Sequence, residues 1–390
     1  MNDTHDSAGA ASGDALPELA EQLRPRFPIF DRKRYLNSNS LGALSRRSVE
    51  LRRRFERDWH ELGAAAWYDR WLDRLDEVRA GFAATVGGDR GEVALMPSVS
   101  AALTAVAGAL DFGERPRVVT TELDFPTVPY QFLSRRSQGV EVEIVESPDG
   151  IRVPLDRFAE AVDGRTALVA TSHVFFTTGA IQDVEALAGL CHDHGALLLV
   201  DAYQSNGQLP VDAPGWGVDL LVSGALKWLL GGPGLAYLWV RPGLSERLEP
   251  TTLSWFGVRD QFDFDPRRAK PRAGARRFEM GTPAVGAAFT AAGGLEIVRE
   301  AGIPRIRRRN RFLAADLADR LRSAGYELRT APDPEERSAL VLARHPAPDE
   351  AVAALAEEDI IVDARPGCVR FSPHFYNTVE DNRAALAAMP

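Results

Sequence analysis

Two polar residues follow apolar runs within residues 197–240 and could do chemistry together. Asp201 comes directly after ALLLV, and Lys227 comes after LLVSGAL, ahead of a glycine-rich turn at residues 231–234. Lysine is rare in this chain: Lys33, Lys227 and Lys270 are the only ones, and arginine carries nearly all the positive charge. Arginine cannot form an imine, whereas apolar surroundings lower the pKa of a lysine amine and free its lone pair. Lys227 is therefore a candidate Schiff-base residue.

The elements that must position these residues alternate between strand and helix from Glu92 onward. This alternation predicts an α/β fold with a mostly parallel sheet covered by helices. The ligand of such a fold lies at the carboxyl ends of the strands. Phe125, Ser172 and Asp201 fall at or just past the end of a predicted strand, and Lys227 could reach the same edge. We therefore expect these four side chains to lie close together.

A helix start lies near the same edge. The segment PSVSAALTAVAGAL follows the strand VALM and carries Pro97, Ser98 and Ser100 in its first turn. Proline and a capping serine are ordinary helix-start residues, and capping by itself accounts for them. The free N–H groups of the same turn could also bind a phosphate.

Together these groups supply what pyridoxal phosphate needs. The amine of Lys227 would hold the aldehyde as an imine, and the carboxylate of Asp201 would keep the pyridine nitrogen protonated. Phe125 could stack on the ring, and the turn at residues 98–100 could take the phosphate. Arg370 could bind the carboxylate of an amino-acid substrate in a bidentate pair and restrict its motion.

Bulk properties narrow the class of protein. The net charge of −9 argues against a nucleic-acid-binding surface, and no apolar run approaches membrane-spanning length. Cys191 and Cys368, the only cysteines, give neither a disulfide framework nor a zinc pattern, so we expect no metal site. The first residues lack the basic start and apolar run of a signal peptide, so we expect a cytoplasmic enzyme.

The pattern predicts a large domain followed by a smaller one. We expect a disordered tail at residues 1–20, an N-terminal arm at 21–65 that packs with the small domain, a large cofactor-binding domain at 66–284 and a small C-terminal α+β domain at 285–390. Within the arm, residues 35–45 (YLNSNSLGALS) are expected to form a turn before a helix that starts near Ser45.

Many segments, in order, resemble the fold-type I pyridoxal-phosphate enzymes of the class V aminotransferase group, from about Tyr35 to the C-terminus. Pieces similar to kynureninase are YLNSNSLG, ALMPSVSAAL, DFPT, TSHVFFTTG, KWLLGGPG and residues 255–257, and pieces similar to the cysteine desulfurases are VDAYQ and VRFSPHFYNT. The resemblance implies the pyridoxal-phosphate transferase fold of type I. It assigns Lys227 to the imine, Asp201 to the pyridine nitrogen and Arg370 to the substrate carboxylate.

The resemblance also implies further cofactor contacts. Gln204 would hydrogen-bond the phenolic oxygen of the cofactor, Phe125 would stack on its ring and Ser172 would lie beside it. The amides of Val99 and Ser100 would bind the phosphate. Trp255 and Thr282 would reach the phosphate from the other subunit, which implies a homodimer.

The chain departs from both relatives near the substrate. Val128 stands where kynureninase has an acidic residue, and Leu226 replaces the tyrosine or histidine that precedes the lysine. Gln204 replaces a histidine of kynureninase, and Phe175 and Phe176 replace a polar residue. Cys368 is the only candidate for a desulfurase nucleophile, but it lies two residues before Arg370 rather than on a mobile loop, so a buried thiol is expected.

The leading hypothesis is an enzyme that acts on an α-amino acid with an apolar or aromatic side chain and cleaves that side chain, as a kynureninase-like lyase or hydrolase. A class V aminotransferase, an epimerase and a C–S lyase or desulfurase use the same lysine, aspartate and arginine and stay open. A catalytically silent homologue that only binds the cofactor is the non-enzyme alternative, and the intact Lys227 favours an enzyme.

Overall fold

The computed structural model describes residues 16–390, and its first elements form the N-terminal arm. The first elements are α1 (Pro17–Leu23), β1 (Arg34–Tyr35), α2 (Arg46–Leu62) and α3 (Leu72–Ala83), and a π-helical turn precedes α3. Of the disordered tail predicted at residues 1–20, residues 1–15 lie outside the described residues. From Pro17 the chain is helical rather than disordered, because Leu19 and Leu23 are buried against the rest of the molecule.

Seven strands form the main sheet. In chain order they are β2 (Val93–Met96), β3 (Arg117–Thr121), β4 (Glu141–Val145), β5 (Thr166–Ser172), β6 (Leu197–Asp201), β7 (Leu220–Gly224) and β8 (Ala236–Val240). Their spatial order is β2-β8-β7-β6-β5-β3-β4. β8 is antiparallel to both of its neighbours, and the other strand pairs are parallel. The predicted mostly parallel sheet is confirmed.

Helices cover both faces of this sheet. One face packs against α4 (Val99–Ala109) and α5 (Thr127–Leu133). The other packs against α3, α7 (Val184–Asp193) and α8 (Val285–Ala301), and the short helix α6 (Leu155–Ala161) lies beside α7. Strands β5, β6 and β7 are buried almost throughout, as continuous apolar runs must be when both faces are covered.

A second, smaller sheet lies near the C-terminus. The last elements of the chain are α9 (Ile303–Ser323), β9 (Val341–Arg344), α10 (Pro348–Glu357), β10 (Ile360–Ile361), β11 (Asp363–Arg365), β12 (Cys368–Phe371) and α11 (Val379–Ala387). Strands β11, β12 and β9 form an antiparallel sheet in that order, and α9, α10 and α11 share its core.

The predicted domain boundaries at residues 20, 65 and 284 stay predictions, and two packing features bear on them. β1 of the arm pairs with β10 in parallel. Helix α8 follows the boundary at 284, yet its apolar residues share the core of the main sheet, and it packs closely on α2. Gly293 permits this approach, because a Cβ at that position would lie 2.6 Å from the Cα of Ser48. Among residues 16–390, none of the helices is both long and apolar enough to cross a membrane.

Candidate active site

The carboxyl ends of the central strands open into one cavity of about 280 Å³. Ser172, the last residue of β5, pairs in register with Asp201 at the end of β6, and Asp201 pairs with Val222 of β7. The predicted site residues that line the cavity are Val99, Ser100, Phe125, Ser172, Asp201, Gln204 and Lys227. The structure thus brings seven of the ten predicted residues together, while Arg370, Trp255 and Thr282 lie outside this wall.

The amine of Lys227 lies near two aromatic rings. Its Nζ is 4.1 Å from the ring centre of Tyr203 and 5.9 Å from that of Phe125. Burial lowers the pKa of the Lys227 amine to about 8; the charge of Asp201 acts in the opposite direction, and that of Arg370 lowers it further. An appreciable fraction of the amine is therefore neutral near neutral pH, the state that attacks a carbonyl.

Asp201 is buried at the end of β6, and its Oδ1 accepts a hydrogen bond from the backbone N–H of Tyr203 at 2.9 Å. Burial raises the pKa of Asp201 to about 6, although that hydrogen bond and the charge of Lys227 act to lower it. A carboxylate that tends to take up a proton suits a partner for a protonated ring nitrogen, since the proton can be shared between the two groups.

A second buried carboxylate, Asp124, holds the neighbouring strand ends together. Its Oδ2 accepts hydrogen bonds from the backbone N–H and the hydroxyl of Thr121, both at 2.9 Å, and from Thr120. Its Oδ1 accepts from the backbone N–H of Ser172 at 2.6 Å and from the hydroxyl of Thr171. Asp124 therefore fixes the end of β3, and with it Phe125, against the end of β5.

Gln204 is oriented from both ends of its amide. Its Nε2 donates to the backbone carbonyl of Asn39 at 3.1 Å, and its Oε1 accepts from the indole Nε1 of Trp228 at 2.9 Å. One hydrogen of Nε2 has no acceptor among the residues that the structure describes. It could serve the phenolic oxygen, the role that the resemblance assigns to Gln204.

The first turn of α4 forms another part of the wall. Ser98 is the N-cap, and its side chain accepts from the backbone N–H of Ala101 at 3.1 Å. The backbone N–H groups of Val99 and Ser100 make no hydrogen bond within residues 16–390, and both residues line the cavity. Free N–H groups at the start of an 11-residue helix offer a seat for an anion.

Arg370 lies behind the cavity, and its guanidinium is already engaged. Asp363 accepts from its Nε at 2.8 Å and from its Nη2 at 2.6 Å, Ser40 Oγ accepts from Nη2 at 3.0 Å and the carbonyl of Phe176 accepts from Nη1 at 2.8 Å. Burial acts to raise the pKa of Asp363, but the hydrogen bonds and charge of Arg370 hold it below its ordinary value. The predicted bidentate contact with a substrate carboxylate would require Asp363 to give up part of this pair.

Trp255 and Thr282 are exposed, and neither contacts the cavity of its own chain. Trp255 donates from its indole nitrogen to the carbonyl of Gln261 and packs against Phe262 and Phe264, which are 55% and 74% exposed. The roles of Trp255 and Thr282 at the phosphate stay predictions, and both roles require a second subunit.

The residues at which this chain departs from its relatives lie in the cavity wall, in the two cores that flank the sheet, and in β12. Leu226 and Phe176 line the cavity, whereas Phe175 and Val128 are buried in the two cores that flank the sheet. Cys368 is buried in β12 beside Trp228, and burial raises the pKa of its thiol. A buried, protonated thiol in a strand is a poor nucleophile.

The loop at residues 35–45 does more than precede a helix. Ser45 caps α2 by accepting from the backbone N–H of Ser48 at 2.9 Å, as expected. The same loop also brings Ser40 into the cavity wall and supplies the Asn39 carbonyl that holds Gln204. It reaches the lysine loop through the N–H of Gly42, which donates to the carbonyl of Leu226 at 2.7 Å.

Comparison with known proteins identifies the family. The family model described as Aminotransferase class-V matches residues 56–388. The chain belongs to the class-V aminotransferase family. It is 34% identical to the uncharacterized aminotransferase YcbU of Bacillus subtilis, over 95% of this chain and 97% of that protein. It is 31% identical to the kynureninase of Pseudomonas fluorescens, over 92% of this chain and 88% of the kynureninase.

Solved structures agree on the fold of this class-V aminotransferase family member. The apo cysteine desulfurase of Thermococcus onnurineus matches with a TM-score of 0.86 at 23% identity, over 94% of this chain and 96% of that chain. A variant of C-DES with glycine covalently linked to its pyridoxal-phosphate cofactor matches with a TM-score of 0.86 at 20% identity, over 93% and 98%. The resemblance to fold-type I pyridoxal-phosphate enzymes is confirmed.

This family member is a pyridoxal-phosphate-dependent enzyme, and the residues of its cavity fit the cofactor. The unpartnered amides of Val99 and Ser100 suit the phosphate, and the low-pKa amine of Lys227 suits the aldehyde. The carboxylate of Asp201 suits the ring nitrogen, and Phe125 and Tyr203 present ring faces toward the lysine amine.

Proposed function

We propose that this enzyme acts on an α-amino acid with an apolar or aromatic side chain and cleaves that side chain, as a lyase or hydrolase. The observation that carries the proposal is the Lys227 amine, held near a pKa of about 8 in a cavity whose wall is partly apolar. The apolar part of the wall includes Leu103, Val174, Phe176, Leu226 and Leu235. These side chains can contact an apolar or aromatic group of the substrate and carry no charge.

Pyridoxal phosphate, when bound, supplies a ring that accepts the electrons released at the substrate Cα. Lys227 removes the proton from Cα, because its neutral amine is the one strong base of the cavity wall. Asp201 holds the proton on the ring nitrogen. Arg370 binds the substrate carboxylate once Asp363 releases part of its guanidinium. Phe125 and Phe176, in edge contact at 5.1 Å, help to exclude water.

Similarity to kynureninases supports cleavage over the other outcomes. The kynureninases of Pseudomonas fluorescens and Deinococcus radiodurans are 31% and 30% identical to this chain, each over 92% of it. Epimerisation fits less well, because it needs a second base on the opposite face of Cα. The ionisable groups of the cavity wall are Asp201, Tyr203 and Lys227 only.

Amino transfer is the second candidate, and Leu226 is the observation that favours it. An apolar side chain next to Lys227 cannot donate a proton to a leaving group or activate water, whereas transamination needs only the lysine to carry a proton. The similarity to the uncharacterized aminotransferase of Bacillus subtilis points the same way.

A turnover count without a keto acid separates the two candidates. The holoenzyme is mixed with single amino acids, including L-kynurenine and the aromatic and branched aliphatic ones, and released products are counted per subunit. Cleavage predicts many turnovers with no keto acid present. Amino transfer predicts a halt after one turnover per site, relieved by adding an α-keto acid, and that result would overturn the cleavage proposal. Lys227→Ala is the control for product formed without the enzyme's lysine.

We also propose a homodimer in which Trp255 and Thr282 reach the partner's cofactor phosphate. Both residues are exposed and lie outside their own cavity, and the exposed rings of Phe262 and Phe264 beside Trp255 would gain a cover. Mixing Lys227→Ala subunits with Trp255→Ala subunits tests the arrangement. Hybrid dimers should recover one site with both residues intact, and failure to exceed the sum of the separate variants would contradict shared sites.

A further inference from the structure

Tyr203 occupies space that a side chain at residue 224 would need. A Cβ placed on Gly224, the last residue of β7, would overlap the Cζ, Cε2 and Oη atoms of Tyr203. The phenol therefore lies directly against the backbone of β7, three residues before Lys227. Gly224 has ordinary backbone angles, so it is required for this approach and not for its conformational freedom.

The phenol lies on the same side of the sheet as the first turn of α4, whose free N–H groups could bind an anion. Side chains alternate along β7, so position 224 faces the same way as Leu220 and Val222. Leu220 and Val222 share a core with Val99 and Leu103 of α4, and Tyr203 packs against that core. Tyr203 also lines the cavity together with the first turn of α4.

The hydroxyl of Tyr203 has no hydrogen-bond partner among residues 16–390, although its backbone N–H is used by Asp201. Burial, and to a lesser extent the charge of Asp201, raises the pKa of this phenol well above its ordinary value. The hydroxyl therefore keeps its proton throughout the neutral pH range, and it can donate a hydrogen bond for which residues 16–390 supply no acceptor.

We propose that Tyr203 is a cofactor-binding residue of this chain: its hydroxyl donates a hydrogen bond to the phosphate at the first turn of α4, and its ring supports the side chain of Lys227. The ring contact is the 4.1 Å approach of Nζ to the ring centre. Gly224 supplies the gap that the phenol fills. The inference depends on the cofactor and not on whether side-chain cleavage or amino transfer follows.

The test compares pyridoxal phosphate with pyridoxal, which lacks the phosphate. Dissociation constants of both are measured by visible absorbance on the cofactor-depleted full-length protein, wild type and Tyr203→Phe. Loss of a hydrogen bond to a charged group predicts weakening by roughly tenfold to a hundredfold for pyridoxal phosphate. Pyridoxal should bind both proteins equally well. Equal weakening of both ligands, or no weakening of either, would overturn the role at the phosphate.

A double-mutant cycle tests the packing of the phenol against residue 224. Gly224→Ala should weaken binding of pyridoxal phosphate strongly in the wild-type background and little in the Tyr203→Ala background, because the methyl group then enters an empty space. A Gly224→Ala effect of the same size in both backgrounds would refute the contact. Melting temperatures identify any variant that fails to fold, and Tyr203→Phe, which keeps the ring, decides the hydroxyl's role independently.

Discussion

Asp124→Asn tests whether the buried carboxylate holds the strand ends of the site together. The substitution keeps one acceptor oxygen, which can still serve the Ser172 N–H now bonded at 2.6 Å. It replaces Oδ2 by an NH₂ group, so the backbone N–H of Thr121, now bonded at 2.9 Å, meets a donor instead of an acceptor. A buried donor left without a partner costs about 1–3 kcal/mol.

Two further effects act in opposite directions. The remaining hydrogen bonds change from charged to neutral, which weakens them. Burial raises the pKa of Asp124, so removing its charge relieves an unfavourable desolvation. We expect a net loss of about 2 kcal/mol in the free energy of unfolding, measured by urea denaturation with an unchanged slope.

Asp149→Asn is the matched control. Asp149 also accepts several hydrogen bonds, from the backbone N–H groups of Ile151 and Arg152 at 2.8 and 2.9 Å, but it is exposed and uses the same oxygen for both. Asparagine keeps that oxygen, so the expected loss is below about 0.5 kcal/mol. If Asp124→Asn costs no more than Asp149→Asn, the reasoning about the strand ends is refuted.

Four other predictions concern the site. Uptake of pyridoxal phosphate by the cofactor-free protein should accelerate with pH up to about 8 and then level off, because only the neutral Lys227 amine attacks; a plateau reached only near the ordinary value of 10.5 would contradict the lowered pKa. The free energy of unfolding of the cofactor-free protein should increase as pH rises from about 8 toward 10.5. Over that range Lys227 holds its proton in the unfolded chain but has lost it in the folded chain. Arg370→Lys should raise KM roughly tenfold and leave the visible band of the cofactor unchanged. Lysine keeps a positive charge beside Asp363 but lacks the paired N–H groups with which a guanidinium binds a carboxylate. Loss of the band would assign Arg370 to the cofactor. Cys368→Ala should keep activity within about twofold, as expected for a buried thiol without a catalytic role, and a large loss would revive the desulfurase hypothesis.

The main sheet could be predicted because its strands are apolar runs that end in polar residues. Parallel strands place such ends at one edge, so Asp201 and Lys227 could be grouped from their positions in the chain alone. The antiparallel direction of β8 was not predicted, and the glycine-rich turn at residues 231–234 permits it by allowing a short reversal between β7 and β8.

Contacts between distant segments could not be predicted, because apolar patterning carries no information about which side chains meet across elements. Tyr203 and Gly224 meet through the pairing of β6 with β7, and Ser40 enters the cavity from the loop at residues 35–45, whose small polar residues predict only a turn. Asp363 did carry a signal. The Pro366-Gly367 turn closes a hairpin in which Asp363 faces Arg370 in register, so their pairing could have been deduced from the hairpin alone.

Reduction of the holoenzyme with borohydride, followed by digestion and mass spectrometry, tests the central claim most directly, because the chain has only three lysines. Reduction fixes the cofactor to the amine that holds it. We predict a phosphopyridoxyl group on the peptide that contains Lys227, with Lys33 and Lys270 unmodified. Modification of Lys33 or Lys270 in place of Lys227, or no modification of a protein that carries the cofactor's visible band, would contradict the account.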